Sequence, residues 1–420
     1  MWQVLRNSWA LMLGMLLLMI GNGMQATLMG VRGGIEGFST LAMSLITAAY
    51  FVGFLAGSRL TPHMIRRVGH VRVFAALGSL VSAALILFPV FTDPAAWTAL
   101  RVILGFCLSG VYVAAESWLN NAVTNDRRGT ALSAYMGMQM LGLVSAQGLM
   151  NVADAGGFGL FILPSVLVSL SFAPILLSVQ RAPAHEATRP MTLRRLYGAS
   201  PLGIVGMFLL GGVFSAQFGM ASVYGSEAGL SVREVSAFVA AIFTGSLMMQ
   251  LPVGWLSDRM DRRRLIAALA VTGAGSTALG VVSGDGTAVL LVLAFAMGGI
   301  ATPLYALLIS YTNDYLDRED MAAASGGLVF VYGLGAIGGP LLTGAAMDRI
   351  GPSGFWVFVA VTFAAVALYS LWRMTRRAPV PAEETGSYVA VGPVATGYAA
   401  EWAQEVAAEA ETTGGEASQT

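Results

Sequence analysis

Apolar runs of about twenty residues recur along the whole chain, and few folds accommodate them. Each run is long enough to cross a hydrocarbon core roughly 30 Å thick at about 1.5 Å per residue. Twelve are read: 8–30, 40–61, 72–92, 95–118, 130–152, 158–180, 199–223, 232–256, 265–283, 287–312, 322–346 and 354–373. Lipid leaves backbone polar groups no water to bond, so only helices and closed barrels can span it. Barrel strands would alternate apolar and polar residues over about ten positions, and these runs do not. The first run is longer than the roughly 7–15-residue core of a cleaved signal, and it belongs to the repeat described below. The expectation is an all-α integral membrane protein with twelve transmembrane helices. The composition agrees: 56% of residues are apolar and 11% charged, against about 25% charged in soluble domains.

The charge is unevenly placed. All 23 basic residues are arginine, balanced by 23 acidic ones. With both termini on one side, 19 Arg fall in or beside the segments on that side; Arg32, Arg233 and Arg349 fall outside, and Arg101 lies within a span. The positive-inside rule makes that side cytoplasmic, which implies a multi-pass protein of the cytoplasmic (inner) membrane with both termini inside. These clusters sit in short loops against lipid, which disfavours a nucleic-acid partner. Without lysine there is no Walker A loop and no Schiff-base lysine. Cys107 is the only cysteine, which excludes an internal disulfide, and His63, His70 and His185 form no metal pattern with it. No cofactor, metal or catalytic constellation is expected, so the chain does not read as an enzyme.

The chain is also a repeat. Sliding it by 192 residues places Gln25 on Gln217, Gly33 on Gly225, Ser39 on Ser231, Arg67 on Arg259 and Arg72 on Arg264. Sliding it by 193 places Gly105 on Gly298, Tyr112 on Tyr305, Ser117 on Ser310, Asn120 on Asn313 and Gly142 on Gly335. Six spans are therefore repeated in the same sense. The expected domains are a first six-helix bundle (1–180), a cytoplasmic linker (181–198), a second bundle (199–375) and an acidic tail (376–420). Residues 378–420 hold seven Glu and no Arg, and a largely disordered tail with a short acidic helix near 399–411 is expected.

Two parallel six-span halves related about the membrane normal describe the major facilitator superfamily, and the chain resembles that family over about residues 5–375. "GWLSDRMDRRRL" (254–265) looks like its loop signature, with Asp261 in place of a Gly; "PHMIRRVGHVR" (62–72) is the diverged first-half copy, with Arg66 in place of the Asp. "RVILG" (101–105) resembles the fourth-span signature. "AESWLN" (115–120) and the stretch 331–354 resemble the YcaD-like branch. The resemblance implies secondary active transport of a small solute by alternating access, with protons as the coupling ion and a monomer in the bilayer. Export is favoured slightly over uptake from the neutral, Met-rich character of the spans. A non-transporting membrane sensor on the same scaffold is the alternative.

The resemblance also assigns candidate residues. The loop Asp docks in the family against the other half, which places Asp258 and Arg259 near Arg127 and Arg128. In the first half the charges are exchanged: Arg66 would face Glu319 and Asp320. Two cytoplasmic latches of opposite sign are expected, the alternative being solvated topology anchors. Ionisable groups within spans are costly and default to function. Arg101 and Glu116 lie on the fourth span, about 22 Å apart along it. Arg101 is a candidate for coupling or binding, or a structural Arg bonded to carbonyls. Glu116 is a candidate proton carrier, or a latch or packing group. Asn22, Gln25, Tyr112, Gln217 and Tyr305 are candidates to line the cavity, with Gln139, Gln147 and Tyr332 behind them; each has interhelical hydrogen bonding as its alternative. So few charges suit a neutral, zwitterionic or weakly amphipathic small molecule.

Overall fold

Short polar signals start the spans. Ser39 and Ser231, repeat partners, both cap helices by accepting a hydrogen bond from a backbone N–H of the first turn; Glu234 completes a capping box with Ser231. Asp93 caps the next such helix ahead of Pro94, and Ser200 does the same ahead of Pro201, proline being well suited to a first helical position. The structure, a computed structural model, describes residues 2–124, 127–176, 191–282, 286–376, 385–386, 388 and 390–406, without the side chains of residues 2–7, 121–122, 175–176, 318–319 and 322.

The first half comprises α1 (Trp2–Ile35, kinked at Ser8), α2 (Thr40–Val68), α3 (His70–Leu87), α4 (Pro94–Ala122), α5 (Arg128–Leu149) and α6 (Gly159–Leu176). After the short helix α7 (Leu193–Ala199), the second half comprises α8 (Pro201–Ser215) and α9 (Ala221–Glu227), joined by a π-turn at Ala216–Met220 into one span, then α10 (Val232–Ser257), α11 (Arg262–Val282), α12 (Thr287–Asn313), α13 (Arg318–Ile350) and α14 (Gly354–Met374). Residues 397–406 form a last helix, α15. Among the described residues, ten helices are long and apolar enough to cross a membrane. Two more complete the twelve. The more polar α5 buries Gln139 and Gln147, and α6 is apolar but shorter as described.

Packing repeats as the sequence does. A Cβ built on Gly105 would fall on the Tyr50 carbonyl, and one on Gly298 on the Ile242 carbonyl; 50 and 242 are themselves repeat partners. The same holds for Gly53 and Gly245, which press on the carbonyls of Val102 and Phe295. These glycines let α2 approach α4, and α10 approach α12, backbone to backbone, as small residues do in membrane bundles. Between the halves, α2 packs on α13, α10 on α5 and α1 on α9. At the last of these, Gly30 abuts Ser222 and Gly34 abuts Ser226. Each residue there meets its own repeat partner 192 positions on, which only an axis of near-twofold rotation produces. Large apolar side chains such as Leu251, Leu342 and Leu368 are exposed on the outside, a surface suited to lipid.

The two ends of the bundle differ. At the far end, which carries the turns 36–39 and 228–231, the halves touch through α1 and α9, and Thr40 donates to the Glu227 carboxylate across them. At the opposite, tail end, residues 388 and 390–406 contact both halves. Where a largely disordered tail is expected, the structure seats a packed segment: Val391, Val394, Ala395, Ala399, Ala400, Trp402 and Ala403 are all buried. The helix expected near 399–411 is present over 397–406; residues 407–420, and 177–190 with the linker residues 181–190, lie outside the described residues.

Candidate functional site

A cavity of about 40 Å³ lies between the halves. Tyr50, Phe51 and Phe54 of α2 face Phe214 of α8, Phe218 of the π-turn and Tyr332 of α13 across it. Phe214 and Phe218 stack with ring centroids 5.5 Å apart, and Phe218 approaches Tyr50 and Phe51 of the other half at 5.9 and 6.5 Å. The π-turn carries Phe218 and Gln217; such bulges commonly mark functional positions. Pro393, Val394 and Ala395 of the tail close the cavity towards the tail end.

A polar layer of buried groups borders these rings. Arg101 is 1% exposed. Its Nη1 donates to Gln25 Oε1 at 2.9 Å, and its guanidinium stacks 4.6 Å from the Tyr50 ring centre. No carboxylate pairs with it among the described residues. Asn22 Nδ2 donates to the Tyr112 hydroxyl at 2.9 Å, which donates to the Met19 sulfur at 3.2 Å. Gln217 donates instead to the Met297 carbonyl at 3.2 Å. The halves diverge here because Ala294 occupies the repeat position of Arg101, so Gln217 has no guanidinium to meet. Tyr305 packs edge-on against Tyr332, centroids 5.0 Å apart. Arg101 Nε, Gln25 Nε2, Asn22 Oδ1 and the hydroxyls of Tyr305 and Tyr332 are buried without a hydrogen-bond partner among the described residues. Gln139 is likewise unpartnered, whereas Gln147 accepts from Thr27 at 3.0 Å.

Glu116 sits deeper in the protein than its place near a span end suggests. It is fully buried. Its Oε1 accepts from Tyr135 at 3.3 Å and from the Thr396 amide at 3.4 Å, and its other oxygen accepts from the Thr396 hydroxyl. The tail therefore supplies most of its surroundings.

Of the expected latch residues, Asp258 and Arg128 each bond to the tail. Asp258 accepts from the Tyr388 amide at 3.0 Å and lies 3.8 Å from Arg262. Arg128 pairs with Glu405 at 3.2 Å. Asp320 pairs with Arg195 of α7 at 2.6 Å. Arg66 is exposed, and Arg259 folds back on the carbonyl and ring of Trp255. Arg127 lies beside Arg128 at the start of α5, and the Glu319 side chain lies outside the described residues. The charge of the loop signature converges instead on Arg262, 2% exposed at its side chain. Arg262 meets Asp314 at 2.5 Å, Ser257 at 3.1 Å, the Ser310 carbonyl at 3.4 Å and the Gly386 carbonyl. Burial opposes ionisation of Asp261, but hydrogen bonds from Arg263 outweigh it and hold that carboxyl below its ordinary range.

A profile of the Major Facilitator Superfamily matches residues 11–244 and again 203–405. The chain belongs to this superfamily. It is 24% identical over 374 residues to an uncharacterized MFS-type transporter of Enterobacter sp. (strain 638), covering 88% of this chain and 96% of that one. It is equally similar, over 375 residues and with the same coverage, to the uncharacterized MFS-type transporter YcaD of Escherichia coli O7:K1. This agrees with the YcaD-like resemblance of the sequence. Among solved structures, a single-site variant of the nucleoside transporter NupG superposes with TM-score 0.76 at 14% identity, over 87% of this chain and 98% of that one. A bacterial homologue of the human lysosomal transporter Spinster, inward-facing and unoccupied, superposes with TM-score 0.65 at 13% identity, over 96% and 98%. These likenesses establish the superfamily fold.

Sequence reasoning overlooked three parts of this superfamily member's site. The aromatic ring of Tyr50, Phe51, Phe54, Phe214 and Phe218 gave no signal, because aromatic residues in a span read equally as packing. Arg262 and Asp314 were masked by their charged neighbours. The tail segment had a usable signal: 388–406 carries two Glu among many Val, Ala and aromatic residues, and averaging charge over 378–420 hid it.

Proposed function

We propose that the protein is a secondary active transporter that moves a small organic solute, with few charges and a flat apolar part, by alternating access. One observation carries this reading: an aromatic cavity on the axis between two repeat-related halves, bordered by buried polar groups that lack partners. An unpartnered buried donor or acceptor costs about 1–3 kcal/mol, so a polar solute or water entering that layer gains what the protein itself leaves unsatisfied. The sequence similarity to transporters and the superfamily fold support it. The concentration of Arg at the tail end supports a cytoplasmic placement of that end and of both termini, in the inner membrane.

Protons are the proposed coupling ion. Glu116 carries the proton, because it is a carboxyl wholly enclosed within a span and ringed by donors; Arg101, bonded to Gln25, senses the solute. The working direction is export. The test is solute flux in proteoliposomes under an imposed pH gradient. Flux driven by the gradient in the native protein and lost in Glu116→Gln is expected; flux indifferent to the gradient refutes proton coupling. One observation favours the sensor alternative: a segment of the chain occupies the mouth of the pathway. Ligand binding without flux would select that reading.

A further inference from the structure

The tail-end mouth of the cavity is filled by the protein itself. Residues 390–406 thread between the halves and contact both. On the first-half side, Thr396 bonds Glu116 through its amide and hydroxyl, the Tyr398 hydroxyl accepts from Asn120 at 3.2 Å, Glu405 pairs with Arg128, and Gly392 lies beside Met136 and Met140. On the second-half side, Tyr388 covers Gly254 and bonds Asp258 through its amide, Arg262 holds the Gly386 carbonyl, and Gly397 and Glu401 lie against Gly326. Trp402 is fully buried. Pro393 to Ala395 form a wall of the central cavity.

We propose that this mouth is a peptide-binding site whose ligand is the chain's own tail, through residues 386, 388 and 390–406, and that the docked tail is an autoinhibitory plug. Its chemistry is specific: a threonine hydroxyl for the buried carboxylate of Glu116, a backbone amide for Asp258, a carboxylate for Arg128 and a fully buried indole. Two consequences follow from the same contacts. No solute reaches the aromatic cavity from the tail end while Pro393–Ala395 are in place. Asp258 and Arg128, the expected cross-half latch, are both bound to the tail instead. The plug thus holds one conformation as well as blocking one route. Its occupancy stands independently of what is carried; only its effect on flux rests on the transport reading.

The experiment reads access to the cavity directly. Ser58 lines the cavity on α2, and Cys107 is the only native thiol. In a Cys107→Ser background, Ser58→Cys is reacted with a maleimide-linked polyethylene glycol in purified protein. The full chain is compared with a chain shortened to residues 1–384 and with Thr396→Asp, which sets a carboxylate against Glu116. The expected result is labelling about tenfold faster in both variants, the ratio for a plug holding by one decade of population. A synthetic peptide of residues 385–410 should return the shortened chain to the slow rate, saturably. Monodisperse elution and unchanged helix content show that each variant is folded. Equal rates in the full and shortened chains, or a shortened chain whose rate the peptide leaves unchanged, overturn the proposal. Tail-dependent labelling with no flux in any form would sink the transport reading and leave the plug standing.

Discussion

Arg262→Met should be among the most damaging single changes outside the spans' own packing. The Arg262 and Asp314 side chains are 2% and 3% exposed and 2.5 Å apart. Methionine fills much the same volume without the charge, so the loss falls on Asp314. Its carboxylate still accepts from the Gly386 amide, at 3.3 Å, but loses its guanidinium. Removing one member of a buried ion pair costs about 3–5 kcal/mol, because the other is left as an uncompensated buried charge. Unfolding entropies of about 2.1 cal/mol/K per residue scale to about 0.9 kcal/mol/K for this chain. The melting temperature in detergent should therefore fall by about 3–6 °C. Asp314→Leu alone should cost a similar amount. The double variant should recover most of the loss, since a well-packed apolar pair can replace a buried ionic one at little cost. The assay is thermal unfolding followed by circular dichroism and by intrinsic fluorescence across the four proteins. A drop below 1 °C for Arg262→Met, or losses that simply add in the double variant, would refute the reasoning.

Three further outcomes are expected. Gly30→Val places a side chain on Ser222 and Val223 across the axis, so the far end should part; spin labels at Glu36 and Ala228, repeat partners in the far-end turns, should move several ångström apart, and an unchanged distance would count against the axial contact. Arg101→Lys should not restore solute-dependent flux lost in Arg101→Gln, because an ammonium lacks the planar fork that both reaches Gln25 and stacks on Tyr50; full rescue by lysine would reduce Arg101 to a point charge. Burial, with Glu405 one turn on, raises the Glu401 carboxyl from about 4.5 in the free tail to about 8 in the docked one. The docked tail thus binds the proton more tightly, so docking is strongest below pH 4.5, weakens as pH rises towards 8 and is flat above that. Labelling of Ser58→Cys, normalised to the shortened chain at each pH, should accelerate across that window, and Glu401→Gln should abolish the acceleration.

Much of the fold was legible because lipid enforces one rule on every span. Ten of the twelve apolar runs reappear as spanning-length helices among the described residues, the 192-residue offset reappears in the packing, and the repeat pair Ser39 and Ser231 both cap helices. Gly105 and Gly298 show why: a glycine required by backbone contact is required twice when the contact is duplicated. The polar layer was legible in part. Residue type flagged Arg101, Gln25, Asn22 and Tyr112 as costly to bury, and the structure joins Arg101 to Gln25 and Asn22 to Tyr112. Pairing across elements was not legible. Asp258 carries a formal charge that suits Arg128 and the tail amide equally well, and only the position of Tyr388 decides between them. Gln217 illustrates the limit of symmetry, since with Ala at 294 in place of an Arg its partner is a carbonyl and not a side chain.

The lone guanidinium of Arg101 has an electrical consequence. It stands about two turns inside one face of the bilayer, in one half only, with no carboxylate pairing it among the described residues. If that half rocks as proposed, a net positive charge is carried through part of the membrane voltage at each turnover. A full unit charge crossing 100 mV is worth about 2.3 kcal/mol, so a tenth to a quarter of the field would contribute roughly 0.2–0.6 kcal/mol. The resting potential of the cell would then tilt the conformational balance even when the solute itself is neutral.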